Sequence, residues 1–341
     1  MSDGVGEHDL AVVIGRFQPF HFGHLALLEH ALSVAPRAVL VLGSARGPRM
    51  AKNPFTADER IAMIRESLEP DARARVAFAP VRDYYDEPRW AGAVKAAVAK
   101  ETAGRVALIG FRKDDTSSYL SLFPEWSELS LPRQAPIDGT ALRRSYFESE
   151  AATLPAELRA AVPEPVQRFL TEFRSSAHFQ RLRDELRALD ENRAEYGVGP
   201  FVTVDALVTC AEHLLLIQRG RAPGQGLWGV PGGFLEGSER LLSAALRELA
   251  EETQIDCTDA ELRAAFRGAA VFDHPQRSQR GRTITHAHHF ALSRADLPSV
   301  RGADDAAAAR WQPISELRGM TEALFEDHFQ IIDHFLAVSG D

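Results

Sequence analysis

The chain is predicted to be an α/β protein of two domains, on three observations. Its first half alternates short apolar runs with helix-length stretches, which implies a parallel sheet wrapped by helices. After a charged, proline-broken helical stretch the pattern changes to strand signals around one glutamate-rich helix, which reads as an α+β sandwich. At 341 residues there is chain enough for two units that each bury a core.

Taken in order, residues 10–14, 37–42, 75–81 and 105–110 read as buried strands, and 25–34, 56–68 and 89–101 as the helices between them. Ligands of such a sheet bind beyond the carboxyl ends of its strands. Residues 154–195 are helical and charged, with Pro155, Pro163 and Pro165 marking breaks and a solvated helix over 181–193. Gly197, Val198, Gly199 and Pro200 interrupt it, and strands follow at 201–210 and 213–218. The expected division is therefore 1–175, a helical connector at 176–199, and 200–341, ending in an amphipathic helix over 321–338. No solenoid-type repeat is present.

The composition, 45% hydrophobic and 26% charged, is that of a folded globular chain rather than a disordered one. A net charge of -9 and a pI near 5.8 argue against a nucleic-acid scaffold, so an anionic substrate must be met by local Arg, Lys, His or a metal. Cys210 and Cys257 are the only cysteines and form no C-x-x-C pair, which fits a reducing cytosol and gives no disulfide or zinc framework. Asp3, Glu7 and Asp9 precede a short apolar run without the basic flank of an export signal, and no run reaches the length of a membrane span. The expected location is the cytoplasm, with no membrane and no nucleic acid as partner.

Two stretches carry chemistry. Directly after the first strand come Gly15, Arg16, Phe17, Gln18, Pro19, Phe20, His21, Phe22, Gly23 and His24, leading into a helix. A helix N-terminus offers unpaired N–H groups and a positive dipole end, so two imidazoles and an arginine there suit a polyphosphate. One histidine would read as an incidental helix start; two, three apart, after a strand-end glycine and an arginine, favour a site. Neither a G-x-x-x-x-G-K-[ST] string nor a G-x-G-x-x-G after a strand competes.

The second stretch runs from Gly232 to Ile255, with Gly233, Glu239, Arg247, Glu248, Glu251 and Glu252 at fixed spacing. On a helix Glu248 and Glu252 share one face, and Arg247 reaches Glu251. Stacked carboxylates repel unless a cation lies between them, and magnesium bridging to phosphates suits such a set. Gly232 and Gly233 let the backbone approach a ligand. An exposed acidic helix, packed through Leu241, Leu242, Ala245 and Leu249, is the bland alternative, and the length of the pattern speaks against it. Downstream, Arg277, Arg280 and Arg282 suit a diphosphate or its ribose. Asp304 and Asp305 are candidates either for a water-activating base or for helix capping.

The 232–255 stretch resembles the Nudix box of hydrolases that cleave a diphosphate linked to another moiety. It departs at Gln254, where that pattern has glycine; left-handed geometry there costs a non-glycine about 1 kcal/mol. The His21-to-His24 segment resembles the H-x-G-H motif of nucleotidylyltransferases, and the longer GRFQPFHFGH string is similar to the nicotinamide-mononucleotide adenylyltransferases. Ile137 to Arg143 resembles their I-S-x-T-x-x-R segment, with Asp138 in the serine position, and the 81–90 and 110–126 stretches resemble the same subfamily. The alternative first substrates are those of the pantetheine-phosphate and cytidylyl transferases, which also carry H-x-G-H.

The resemblance implies an N-terminal Rossmann-like nucleotidylyltransferase domain and a C-terminal Nudix sandwich. By it, ATP is held by Gly15, Arg16, Phe17, His21, His24, Gly139, Thr140 and Arg143, with His21, His24 and Arg143 catalytic. The nicotinamide nucleotide is met by Asp83, Lys113 and Asp114 and stacked on by Trp90. In the second half Glu248, Glu251 and Glu252 hold Mg2+, or Mn2+ in its place, with Glu251 and Glu252 also catalytic; Gly232, Gly233, Arg277, Arg280 and Arg282 bind ADP-ribose. The implied protein makes NAD from ATP and nicotinamide mononucleotide and hydrolyses ADP-ribose to AMP and ribose 5-phosphate. The alternative is a Nudix half that senses a nucleotide without cleaving it or that acts on another nucleoside diphosphate. Expected partners are these small nucleotides, with a homo-oligomer left open.

Overall fold

The computed structural model describes residues 7–110, 120–131, 137–151 and 153–339. The chain divides into two compact units, Met1–Arg183 and Asp184–Asp341.

In the first unit β1 (Leu10–Gly15), β2 (Ala38–Leu42), β3 (Val76–Pro80), β4 (Val106–Gly110) and β5 (Ser127–Ser130) form one parallel sheet in the order β3-β2-β1-β4-β5. The helices are α1 (Phe22–Val34), α2 (Ala57–Glu66), α3 (Pro70–Ala74), α4 (Glu87–Ala99), α5 (Gly139–Glu148), α6 (Ala156–Ala161) and α7 (Glu164–Phe173). Valine and leucine dominate the central strands because both faces are covered; Val12, Val39 and Leu108 pack on Val94 and Val98 of α4. Pro155 and Pro163 stand immediately before α6 and α7 and mark the breaks, whereas Pro165 lies in the first turn of α7, where a missing N–H costs nothing. The sequence reading omitted α3 and β5, which are short and polar and show no apolar run. The strand order reverses at β1, between β2 and β4. The crevice at their carboxyl ends is the ligand-binding place of this architecture, and residues 15–24 begin there.

The second unit holds β6 (Phe201–Cys210), β7 (His213–Arg219), β8 (Trp228–Gly229), β9 (Gly232–Phe234), β10 (Phe266–Phe272), β11 (Thr283–Leu292) and β12 (Ala306–Pro313). A helix, α8 (Ala177–Tyr196), spans the boundary between the units, and α9 (Leu241–Thr253), α10 (Asp259–Ala265) and α11 (His328–Leu336) belong to the second. The mixed sheet runs β10-β11-β6-β7-β12, with β6 and β11 parallel. Alternation along β6 explains the sandwich: Val204, Ala206 and Val208 meet Ala245 and Leu249 of α9, while Leu207 faces Phe329 and Ile332 of α11.

β6 and β7 pair only at their hairpin end, Thr209 with Leu214 and Cys210 with His213. Farther along, β6 pairs with β9 and β7 with β8, which opens the sheet between them. One expectation is corrected: in place of a single helix over 321–338 there is a 3-10 stretch, Ile314–Ala323, and then α11. The cause is a strand contact. Leu324 bridges to Trp228, Phe325 N–H donates to the Trp228 carbonyl at 2.7 Å, and Glu326 turns to a φ of 42°. Cys210 is buried and Cys257 partly so, both as free thiols. Among the described residues no helix is long and apolar enough to cross a membrane.

Candidate active sites

In the first unit the loop after β1 is fixed from several sides. Arg60, fully buried on α2, donates to the carbonyls of Arg16 at 2.7 Å, Gly43 at 2.8 Å and Ser44 at 3.3 Å. The Gln18 amide exchanges two hydrogen bonds with the Phe55 backbone, at 2.9 and 3.0 Å. Phe17 takes a left-handed φ of 52° and buries its ring against Gly15, where a β-carbon would sit 3.0 Å from the ring. Its side chain thus shapes the loop from beneath.

His21 caps α1: its Nδ1 accepts the His24 N–H at 3.3 Å, and the two imidazoles stack with centroids 3.6 Å apart. A ring whose Nδ1 accepts is neutral and carries its proton on Nε2. Gly23 has the space it needs and no more, since a β-carbon there would lie 3.1 Å from the His21 ring. Phe17 and Phe20 enclose His24, whose Nδ1 is buried without a partner. Burial lowers the His21 pKa to about 4 and holds His24 well below its ordinary value, with His21 adding to the latter. Both rings are therefore neutral near pH 7 in the ligand-free protein, so Arg16, Arg60 and Arg143 supply the standing positive charge.

Arg143 comes from α5 to the same place. It is buried and donates to the Gln18 carbonyl at 2.7 Å and to Thr140 Oγ1 at 3.1 Å. Burial, then repulsion from Arg16, lowers its pKa to about 10, still far above neutrality. A β-carbon on Gly139 would stand 3.8 Å from His21 Nε2, which places the start of α5 beside the imidazole donor. Asp138 caps α5 by accepting the Thr140 N–H at 2.9 Å, so a carboxylate does there what a serine hydroxyl would.

Asp83 accepts from Ser44 Oγ at 2.6 Å beyond β2. Trp90, on α4, is partly buried against the core and meets Phe123 edge to face at 5.8 Å. Lys113 and Asp114 lie outside the described residues.

In the second unit α9 lies against β9 at the opened sheet. Arg247 holds the glutamates: it donates to both oxygens of Glu239 at 2.7 and 3.1 Å, to Glu248 at 2.9 Å and to Glu251 at 3.0 Å. Glu252 is buried, and its Oε2 accepts the Gly232 N–H at 2.9 Å. Burial raises the Glu252 pKa to about 8, with Glu248 and Asp205 adding to the rise, and burial likewise raises Glu248. Asp205, midway along β6, is buried with its Oδ2 unpartnered, and burial pushes it up to about 7. Among the described residues no three of these groups already stand as a closed ligand set.

A cavity opens between β6 and β7, lined by Asp205, Arg219, Gly232, Arg280, Glu326 and His328 among others. Arg277 also reaches it, but its guanidinium is committed to Asp327 at 2.7 and 2.9 Å and to Thr285 Oγ1. Arg282 donates to the Asp273 carbonyl. The Arg280 Nε is buried without a partner, and its guanidinium lies 5.3 Å from the exposed ring of Phe234. Asp305 pairs with Arg221 at 2.5 Å. Asp304 is exposed, and its charge adds to the rise at Glu248.

Residues 12–90 match the cytidylyltransferase-like family model and residues 199–335 the NUDIX domain model. Over 187 residues, 54% of this chain and 96% of the relative, the sequence is 37% identical to a nicotinamide/nicotinic acid mononucleotide adenylyltransferase of Acinetobacter baylyi. Across 97% of this chain and 99% of the other, the fold matches a crystal structure of a bifunctional NMN adenylyltransferase/ADP ribose pyrophosphatase from Francisella tularensis, with a TM-score of 0.89 and 34% identity. The chain belongs to this bifunctional family. A second structure of the Francisella protein, with AMP and a manganese ion, matches at a TM-score of 0.89 and 33% identity, again over 97% and 99% of the two chains.

Within the family frame, the position where this chain departs from the Nudix box is accommodated. Gln254 ends α9 at φ 42° and ψ 40°, the left-handed geometry that favours glycine there. Its side chain accepts from the Arg301 guanidinium at 2.5 and 3.0 Å. The Arg301 and Ala303 N–H groups cap the Thr253 and Glu252 carbonyls at 2.8 and 3.1 Å. Arg60 and Asp205 are not among the expected site residues, and Gln18, named within the loop, has no expected role there. Only Asp205 had a signal, as the one charge inside the apolar run of β6.

Proposed function

We propose that this chain catalyses two reactions of NAD metabolism: adenylyl transfer from ATP to nicotinamide mononucleotide in the first unit, and hydrolysis of ADP-ribose in the second. The observation that carries the reading is the paired construction. His21, His24 and Arg143 meet at the topological switch point of one sheet, and the glutamates of α9 gather beside Gly232 and Gly233 in the other.

In the first reaction a phosphate oxygen of the mononucleotide attacks the α-phosphorus of ATP in line. One P–O bond forms, the bond to the bridging oxygen breaks, and pyrophosphate leaves. Chemistry of this kind needs positioning and charge neutralisation rather than a covalent intermediate. Arg16 and Arg143 oppose the triphosphate, the N-terminus of α1 adds its dipole, and the Nε2 protons of neutral imidazoles donate to phosphate oxygens. Trp90 and Asp83 at the sheet's edge are proposed to meet the nicotinamide nucleotide.

In the second reaction water attacks one phosphorus of the diphosphate and the bridging P–O bond breaks, leaving AMP and ribose 5-phosphate. Glu248 and Glu252, with Glu251 as the third carboxylate, are proposed to hold a hard divalent cation, Mg2+ or Mn2+, the first two being the pair that burial crowds. Oxygen donors crowded by burial and mutual repulsion are what such an ion relieves. When bound, it supplies Lewis acidity toward the phosphoryl oxygens. The protein's part is to aim the carboxylates through Arg247, with Gly232 and Gly233 leaving the space that Asp205 and Glu248 occupy.

The purified chain, given Mg2+, is expected to form NAD and pyrophosphate from ATP and nicotinamide mononucleotide, and AMP from ADP-ribose. His24→Ala should abolish the first product alone and Glu252→Gln the second alone. Unchanged NAD formation by a folded His24→Ala removes that residue from the mechanism, and no AMP at saturating Mg2+ or Mn2+ favours a nucleotide-sensing second unit.

A further inference from the structure

Asp205 is a stability liability that the fold does not relieve. It is 6% exposed, its Oδ2 has no hydrogen-bond partner, and a lone buried carboxylate is among the costlier groups to leave unsatisfied. The neighbouring groups are spent elsewhere: Arg277 on Asp327 and Thr285, and Thr203 on Thr285 at 2.6 Å. Across the same cavity the Arg280 Nε is also buried and unpartnered. One enclosed space therefore presents one unused acceptor and one unused donor, beside the Gly232 N–H that Glu252 accepts.

The chemistry of an occupant follows from that pair. A phosphoryl group brings only acceptors and negative charge; it would satisfy Arg280, leave Asp205 unmet and be repelled by it and by Glu326. A hydroxyl both donates and accepts. We infer that Asp205 and Arg280 form a subsite that reads a ribose hydroxyl of the nucleoside-diphosphate sugar, with the hydroxyl donating to Asp205 Oδ2 and accepting from Arg280 Nε. This rests on the proposed second activity and deepens it, because it names the groups that select a sugar-bearing diphosphate. Gly232 leaves room on the same side: a β-carbon there would stand 2.3 Å from the Val204 carbonyl oxygen and 2.4 Å from Asp205 Oδ1, so backbone and carboxylate alike require its absence.

The test is calorimetric binding without divalent cation, so that no turnover accompanies it. The ligands are ADP-ribose, its analogue lacking the terminal-sugar 2- and 3-hydroxyls, and its analogue lacking the adenosine 2′-hydroxyl. A hydrogen bond from a hydroxyl to a carboxylate is worth about tenfold or more in affinity. The wild-type chain should therefore bind ADP-ribose at least about tenfold more tightly than one of the two analogues, and which one identifies the ribose. Asp205→Ala should lose that discrimination while melting at the same temperature or higher, since a buried carboxyl with an unsatisfied oxygen has been removed. Arg280→Met, which keeps the apolar stem, should lose it too, and it serves if Asp205→Ala does not fold. Equal binding of all three ligands by the wild type, or full discrimination retained in the variants, overturns the inference. Loss of Mn2+ binding in Asp205→Ala, with discrimination intact, would instead give Asp205 to the cation. Discrimination in binding without any cleavage of ADP-ribose sinks the hydrolase reading and leaves the subsite standing.

Discussion

A β-carbon on Gly233 would stand 2.3 Å from Glu248 Oε1, closer than any folded chain permits. The second glycine of the pair thus leaves room for the carboxylate beside it rather than serving a turn. Gly233→Ala must displace Glu248, and a shift of about 1 Å in such a site costs on the order of 100-fold in rate. ADP-ribose hydrolysis should fall by that factor with NAD formation unchanged, both assayed on the same preparation; hydrolysis within threefold of wild type would show that Glu248 moves freely.

Arg247 is expected to govern cation affinity without touching the cation. It holds Glu239, Glu248 and Glu251 with one guanidinium, and loss of such an orienting partner typically costs about 10- to 100-fold in metal affinity. Arg247→Ala should weaken Mn2+ binding, followed by calorimetry, to that extent. Arg247→Lys should rescue little, because a point charge cannot replace the fork that meets both oxygens of Glu239.

Much of this was legible in the chain. Strand and helix periodicity located β1, β2, β4, β6 and α9, because each buries a regular apolar stripe. The H-x-G-H string and the glutamate spacing pointed to both candidate sites, because the proposed chemistry requires residue types at fixed intervals. What escaped depends on long-range contacts. Arg60 looks like an ordinary helix-surface arginine until its partners, 16 to 44 residues away in sequence, are known. The break before α11 is set by Trp228 rather than by any residue near it. Arg277 looked as free as Arg280, and only the fold shows it bound to Asp327.

Protons should accompany nucleotide binding in the first unit. The folded-state pKa of His21, about 4, lies below its ordinary value of 6.5. The unfolded chain thus binds the extra proton between these values: the contribution to stability is present above pH 6.5 and lost as pH falls toward 4. A polyphosphate placed against the ring favours the cation and raises the pKa. ATP binding near pH 5.5 should therefore take up protons, seen as a dependence of the calorimetric enthalpy on the buffer's ionisation enthalpy. His21→Asn, which keeps an N-cap side chain, should flatten both that dependence and the acid loss of stability. An unchanged dependence in the variant would assign the protons to another group.

Arg60 should matter to the first unit through the loop it holds. Three carbonyls, of Arg16, Gly43 and Ser44, rely on its guanidinium. Burial brings its pKa to about 10 but leaves it charged near neutrality, with Asp83 and Glu59 opposing the drop. Arg60→Met preserves much of the apolar stem and removes every donor, and a buried acceptor left unmet costs about 1–3 kcal/mol. The variant should lose at least about 2 kcal/mol in denaturant unfolding, confined to the transition of the first unit. Because the freed loop carries Arg16 and leads into His21, the KM for ATP should rise together with the loss of kcat. Loss of stability with intact kinetics would show that the loop is held by Gln18 and Arg143 alone.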